Sequence, residues 1–245
     1  MSFNTLVLAP FSQEGLAALK QLGRVTYEPW TATRELRDPA ELGRKVEAEA
    51  FHGLVVEADF LFDELFAAAP TLRFAAVCRG SLNQVELDSA TRHGVAIVHA
   101  PGRNAQAVAE LVLALMLGLA RHMPHAVSYV REGAWHDPVD AYVRFQGREL
   151  AGATLGVIGM GEIGRRVARL GQAIGMRIVA NDPYLSPALA PPEHVLLAGL
   201  DDLLGQCDFL SIHVPDTPET DGLLSEKRLR RMRAGSYLVN VTAPS

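Results

Sequence analysis

Apolar and polar positions alternate along the first hundred residues in two rhythms. Short apolar runs at 5–9, 24–28, 53–57, 72–78 and 95–99 are separated by stretches of helical spacing at 15–22, 39–50, 63–69 and 87–93. Strand-length runs alternating with short helices predict βαβ units, and hence a parallel sheet covered on both faces. Residues 1–99 are therefore expected to form one small α/β domain. Its strand-end loops carry Glu57 and Asp59, then Arg79-Gly80-Ser81-Leu82-Asn83, then His99 to Asn104. Ligands of open α/β sheets bind outside the carboxyl ends of the strands.

Residues 105–122 break this rhythm, with ten successive apolar or small residues from Leu111 to Ala120. A bilayer span needs about twenty, so a helix apolar on all sides is expected to lie buried between two domains or two subunits. Residues 123–135 read as a second helix closed by a loop at Asp137-Pro138, and 140–150 as a polar connection that lies against a partner subunit. The α/β alternation then resumes: strand 155–158, helix to about 174, strand 177–180, a proline-bearing loop over 183–192 and a short strand at 195–198. A helix at 200–204, a buried strand at 208–214, a turn at 215–220, a helix at 225–232 and a strand at 236–241 complete it. The second domain is expected over 100–245.

Between the strand at 155–158 and its helix stands Gly159-Met160-Gly161-Glu162-Ile163-Gly164. Gly159 permits a tight turn, Gly161 lets the backbone approach a pyrophosphate, and Gly164 lets the helix pack closely on the strand. The helix N-terminus adds unpaired N–H groups and the positive end of its dipole. Asp182, eighteen residues after Gly164, is placed to accept both ribose hydroxyls of an adenosine. A lone GxGxxG is a weak signal; one that follows a strand, opens a helix and is answered by an acid at this distance predicts a dinucleotide site. Nothing basic follows Asp182 in Pro183-Tyr184-Leu185-Ser186, so NAD is favoured over NADP.

Composition narrows the partners. The chain has 245 residues, 49% of them hydrophobic, and a formal net charge of -5 with a pI near 5.9. That leaves no electrostatic footprint for nucleic acid or an anionic membrane and points to a small-molecule partner. Cys78 and Cys207 match no metal or redox spacing, and buried thiols in a reducing compartment are expected. The N-terminus lacks the basic and long apolar regions of a signal peptide, so the expected location is the cytoplasm.

The residues resemble the NAD-dependent D-2-hydroxyacid dehydrogenases of the phosphoglycerate dehydrogenase type. The resemblance runs from the small domain to the end of the chain. It is carried by 100–110 (APGRNAQAVAE), 149–156 (ELAGATLG), 157–165 (VIGMGEIGR), 182–184 (DPY), 211–215 (SIHVP), 217–220 (TPET) and 238–240 (LVN). It implies a flavodoxin-like substrate domain and a doubly wound Rossmann NAD-binding domain with a cleft between them, a homodimer, and hydride transfer between NAD(H) and a 2-hydroxy or 2-oxo acid. Glu162 and Ile163 would then offer backbone N–H groups to the pyrophosphate, and Asp182 would hold the ribose. His213, Val214, Pro215 and Thr220 would line the adenine and nicotinamide side, with Val241 beyond. Arg79, Gly80, Ser81 and Asn104 would sit near the substrate carboxylate; Asn104 is also a residue type suited to capping a helix.

The pattern breaks near the end. The family's chemistry uses an arginine that polarises the carbonyl, a histidine acid/base and a glutamate that tunes it. Its Asn-x-Ala-Arg-Gly pattern reads Asn240-Val241-Thr242-Ala243-Pro244 here, so Ala243 occupies the arginine slot, and the glutamate and histidine would lie beyond Ser245. No catalytic residue is identified, and the expectation is a chain truncated at its C-terminus, with an incomplete nucleotide domain and the 236–241 strand as an unpaired edge. His99 and His213 stand at strand ends, whereas His52, His93, His122, His125, His136 and His194 show no partner acid at a telling spacing. Glu57 replaces a strand-end arginine of some members, an anion where a carboxylate would sit. The alternative is a non-catalytic NAD-binding regulatory or interaction protein on the same fold.

Overall fold

The structure, a computed structural model, describes residues 3–185 and 194–242. Part of the proline-bearing loop and Ala243 lie outside the described residues. The chain divides into two compact units, Met1–Arg103 and Asn104–Ser245.

In the first unit, β1 (Phe3–Val7), β2 (Gly23–Tyr27), β3 (Gly53–Val56), β4 (Phe74–Val77) and β5 (Ala96–His99) form a parallel sheet in the order β2-β1-β3-β4-β5. This is the flavodoxin-like order. The connections are α1 (Gln13–Leu22), α2 (Trp30–Thr33), α3 (Pro39–Ala48), α4 (Asp63–Ala68) and α5 (Leu87–Arg92). Capping sets two of the starts: Ser12 accepts the Gly15 N–H at 3.0 Å, and Asp38 accepts those of Ala40 and Glu41, with Pro39 opening α3. β3 is buried along its whole length, as a central strand covered on both faces must be. Leu6, Leu42, Phe51, Leu54 and Phe66 belong to the larger core, and Val7, Leu16 and Val55 to a second cluster. Fully burying each such side chain stabilises the fold by roughly 1.5–3 kcal/mol.

The second unit opens with α6 (Ala105–Ala120), α7 (Met123–Arg131) and α8 (Pro138–Arg144). β6 (Thr154–Ile158), α9 (Glu162–Ala173), β7 (Arg177–Asn181), β8 (Val195–Leu197), α10 (Leu200–Gln206), β9 (Phe209–Ile212), α11 (Glu226–Leu229) and β10 (Tyr237–Asn240) follow. All pairings are parallel, in the order β10-β9-β6-β7-β8, with the fully buried β6 at the centre. One core cluster joins Val112 and Met116 of α6, Val167 of α9 and Leu155 and Val157 of β6; a second joins Leu203 and Leu204 of α10 to Ile158, Val179 and Leu210. The sheet is thus doubly wound, as a Rossmann fold requires.

Two expectations change and one is refined. Within the second unit the helix at 105–122 is covered on one face. Ala105, Ala109, Val112, Met116 and Ala120 face the core of the second unit, while Leu111, Leu115, Leu117 and Leu119 are exposed. An unbroken apolar run hides its own periodicity, which is why the two faces do not show in sequence. The polar stretch after Asp137 contains α8, whose start is a side-chain cap: Asp137 accepts the Val139 N–H at 2.8 Å, with Pro138 as the first residue. Of the two unpaired cysteines Cys207 is buried, which pushes its thiol up to about 11, but Cys78 after β4 is only half-buried. Among the described residues, no single helix is long and apolar enough to cross a membrane.

Candidate functional site

The turn from β6 into α9 is shaped by what its glycines exclude. Gly159 has φ +89°, and a Cβ there would lie 2.5 Å from the His213 carbonyl oxygen. A Cβ on Gly164 would lie 1.9 Å from the Gly159 carbonyl oxygen, so no other residue permits this approach of helix to turn. Gly161, the residue before α9, is the opposite case: nothing lies within 4 Å of its Cβ position. The backbone is therefore bare on that side, as close approach of a phosphate demands.

Side chains hold the turn in place. Asp182, just past β7, accepts the Met160 N–H on Oδ2 at 2.8 Å and the Tyr184 N–H on Oδ1 at 2.9 Å. Each carboxylate oxygen keeps a second lone pair, so this tethering is compatible with accepting ribose hydroxyls as well. Arg165 Nε donates to the Met160 carbonyl at 2.9 Å. Glu162, first in α9, is exposed and paired with Arg166, whose hydrogen bond lowers the Glu162 pKa. Ile163 is half-buried and packs against the core.

Beside this turn lies a cavity of about 540 Å3, lined by Gly159, Gly161, Asp182, Tyr184, His213 and Thr220 among others. Val214 and Pro215 also line it, and its volume falls in the range of small-molecule and cofactor sites. The His213 N–H donates to the Ile158 carbonyl at 2.7 Å, fixing the end of β9 against β6. Its Nε2 lies 2.8 Å from Oγ of the fully buried Ser211, while Nδ1 is buried with no hydrogen-bond partner among the described residues. Burial pushes the imidazole pKa down to about 4, so this histidine is neutral at physiological pH. The Thr220 hydroxyl accepts the Thr217 N–H at 2.9 Å and reaches the Pro215 carbonyl at 2.6 Å, closing the 215–220 turn. A smaller cavity of about 220 Å3 lies at the ends of β9 and β10, against Ile212, Leu238 and Asn240. Val241 packs against the α6–α9 core cluster and is not among the residues lining either cavity.

The residues expected on the substrate side fall in different units. Arg79, Gly80 and Ser81 follow β4 in the first unit, where the Ala100 N–H donates to the Arg79 carbonyl at 3.0 Å and His99 Nδ1 lies 3.0 Å from the Gly80 carbonyl. Asn104 belongs to the second unit; it precedes α6, but its side chain makes no capping hydrogen bond. Glu57, after β3, is not a lone anion: it is ion-paired with Arg103, and its Oε2 accepts the Trp30 indole N–H at 3.2 Å. His93 also has a partner acid, with Nε2 3.7 Å from Asp63. Sequence reading passed over Trp30 and Arg103 here, and Tyr184 and Leu223 in the cavity wall. Arg103 stands inside a quoted motif, but no local spacing links it to Glu57.

This strand–glycine turn–helix–acid geometry, beside a cavity of nucleotide size, defines a dinucleotide-binding α/β protein. The family model for the D-isomer specific 2-hydroxyacid dehydrogenase NAD binding domain matches residues 113–243. YoaD of Bacillus subtilis, which carries a 2-hydroxyacid dehydrogenase name, is 35% identical over 98% of this chain and 70% of its own length. The D-3-phosphoglycerate dehydrogenase of Mycobacterium bovis is 42% identical over 79% of this chain, a match spanning 35% of that enzyme. The D-lactate dehydrogenase of Aquifex aeolicus, solved with NAD and lactic acid, superposes with a TM-score of 0.75 at 28% identity over 98% of this chain and 68% of that one. The chain belongs to the D-2-hydroxyacid dehydrogenase family, and its cofactor is NAD.

Proposed function

We propose that this chain serves hydride transfer between NAD(H) and a small 2-hydroxy or 2-oxo acid. The observation that carries the reading is the Gly159–Gly161–Gly164 turn held to Asp182 beside the 540 Å3 cavity. When bound, the nicotinamide supplies or accepts the hydride. The chain's part is to bind and orient: backbone N–H groups at Gly161, Glu162 and Ile163 face the pyrophosphate, and Asp182 takes the ribose hydroxyls. Val214, Pro215 and the neutral His213 offer a largely apolar wall to the rings. Arg79, Gly80, Ser81 and Asn104 serve the substrate carboxylate. Apolar Leu111, Leu115 and Leu119 on α6, with Met123, Val127 and Val130 on α7, are exposed on the second unit, a surface suited to pairing with a second copy.

An NADH fluorescence titration of the 245-residue chain tests the cofactor half. Saturable binding is expected, weakened about tenfold or more by Asp182→Ala, because a hydrogen bond to a charged group contributes about 1.5–3 kcal/mol. Consumption of NADH with a panel of 2-oxo acids tests the chemistry. Ala243 in place of the expected arginine favours a second reading, an NAD-binding regulatory protein; tight NADH binding with no turnover on any acid would establish it.

A further inference from the structure

Segments that follow β2, β3 and β5 of the first unit meet at Glu57. From the β3 end, Glu57 is only 16% exposed at its side chain; from the β5 end, Arg103 pairs with Glu57 while 48% exposed. From the segment after β2, Trp30 donates its indole N–H to the other carboxylate oxygen. The backbone beneath is fixed too: the buried Gln84 donates to the Glu57 carbonyl at 2.7 Å. Glu57 is therefore held from three sides and in turn fixes one edge of the Arg103 guanidinium. Among the described residues Arg103 has this one ion pair, and a guanidinium carries five N–H donors. The side chain is half exposed, and the Cys78 thiol, just before the Arg79–Ser81 loop, feels the charges of both Arg103 and Glu57.

We infer that Arg103, positioned by Glu57, is the carboxylate anchor of the first unit, and that the pair selects an unphosphorylated 2-hydroxy or 2-oxo monoacid. The inference rests on the proposed function and names its substrate class. The charges set that class. Arg103 balances Glu57, and Arg79 follows β4, the strand between β3 and β5, so these loops together carry one net positive charge for one carboxylate, while Asp59 is buried on the Arg37 side. A phosphorylated acid would bring a further charge of about -1.5 to -2 next to Glu57, which repels it.

The test uses the full chain with Trp135→Phe, a substitution at an exposed position, so that Trp30 alone gives an indole N–H resonance. Glycolate and D-3-phosphoglycerate are titrated with NAD+ present, and NAD+ affinity is measured on the same samples. Glycolate is expected to shift the Trp30 resonance saturably and to bind more tightly than D-3-phosphoglycerate. Arg103→Met should weaken glycolate about tenfold or more, and Arg103→Lys should restore part of it. Glu57→Gln should move the preference about fivefold or more toward the phosphorylated acid, since it removes one nearby negative charge; a merely structural ion pair would not move that ratio. Unchanged NAD+ affinity with no effect of Arg103→Met on glycolate, no shift of the ratio, or no response of Trp30 to either acid overturns the inference alone. Loss of NAD+ binding in the parent chain would instead strike the cofactor reading.

Discussion

The strand-end loops of the two units are built from different materials. In the second unit the site is backbone: Gly159 and Gly164 are defined by the side chains they lack, and Asp182 is fixed by two main-chain N–H groups. In the first unit it is side chain, with Trp30, Glu57 and Arg103 brought together from three separate loops. A backbone site demands particular residues at particular local spacings and tolerates almost no change. A side-chain site rests on long-range pairs whose members can be exchanged for others of like charge, so it suits selectivity among substrates.

The sharpest way to break this contrast is Gly164→Ala. With a Cβ only 1.9 Å from the Gly159 carbonyl oxygen, α9 must shift away from β6; a loss of about 3 kcal/mol or more is expected. Thermal unfolding and NADH titration of the same sample should both show it.

His213 gives the next largest effect. Its folded pKa of about 4 lies below the ordinary 6.5, so as pH falls the unfolded chain takes up the proton first. Stability is fully present above about 6.5 and declines toward pH 4, by about 3 kcal/mol at most. Urea unfolding at a series of pH values should show this acid limb, and His213→Gln should flatten it.

Asp59 is the smaller counterpart in the first unit. Burial raises its carboxyl pKa above the ordinary carboxylate value, opposed by the Arg37 N–H and charge. The stability it contributes is therefore present in acid and is lost as pH rises through the folded pKa. Asp59→Asn is expected to raise stability at pH 7 and to change little in acid, checked by denaturant midpoints at both pH values.

Much of this was legible in the chain, for reasons that differ by residue. The alternation of 5–9, 53–57 and 155–158 with helical stretches is a local signal, and it marked the parallel sheets. The glycine turn and Asp182 were legible because the φ of +89° at Gly159 and the absence of space at Gly164 leave only glycine. α8 was missed because Asp137-Pro138 reads equally as a turn and as a cap followed by its first helical residue. The two faces of α6 were illegible because leucine serves a core and an exposed apolar face alike. The pairing of Glu57 was illegible for a third reason: a carboxylate's meaning depends on its partner, and Arg103 lies 46 residues away.

The sequence by itself determined the two α/β layers, the position of the nucleotide turn and the preference for NAD, because each follows from spacing within one βαβ unit. Only the tertiary structure decided which face of α6 packs on the core of the second unit, that the Nδ1 of His213 is buried with no partner among the described residues, and that the anion at Glu57 is answered by a cation. Burial and charge pairing are properties of atoms brought close by the fold, and separation along the chain does not encode them.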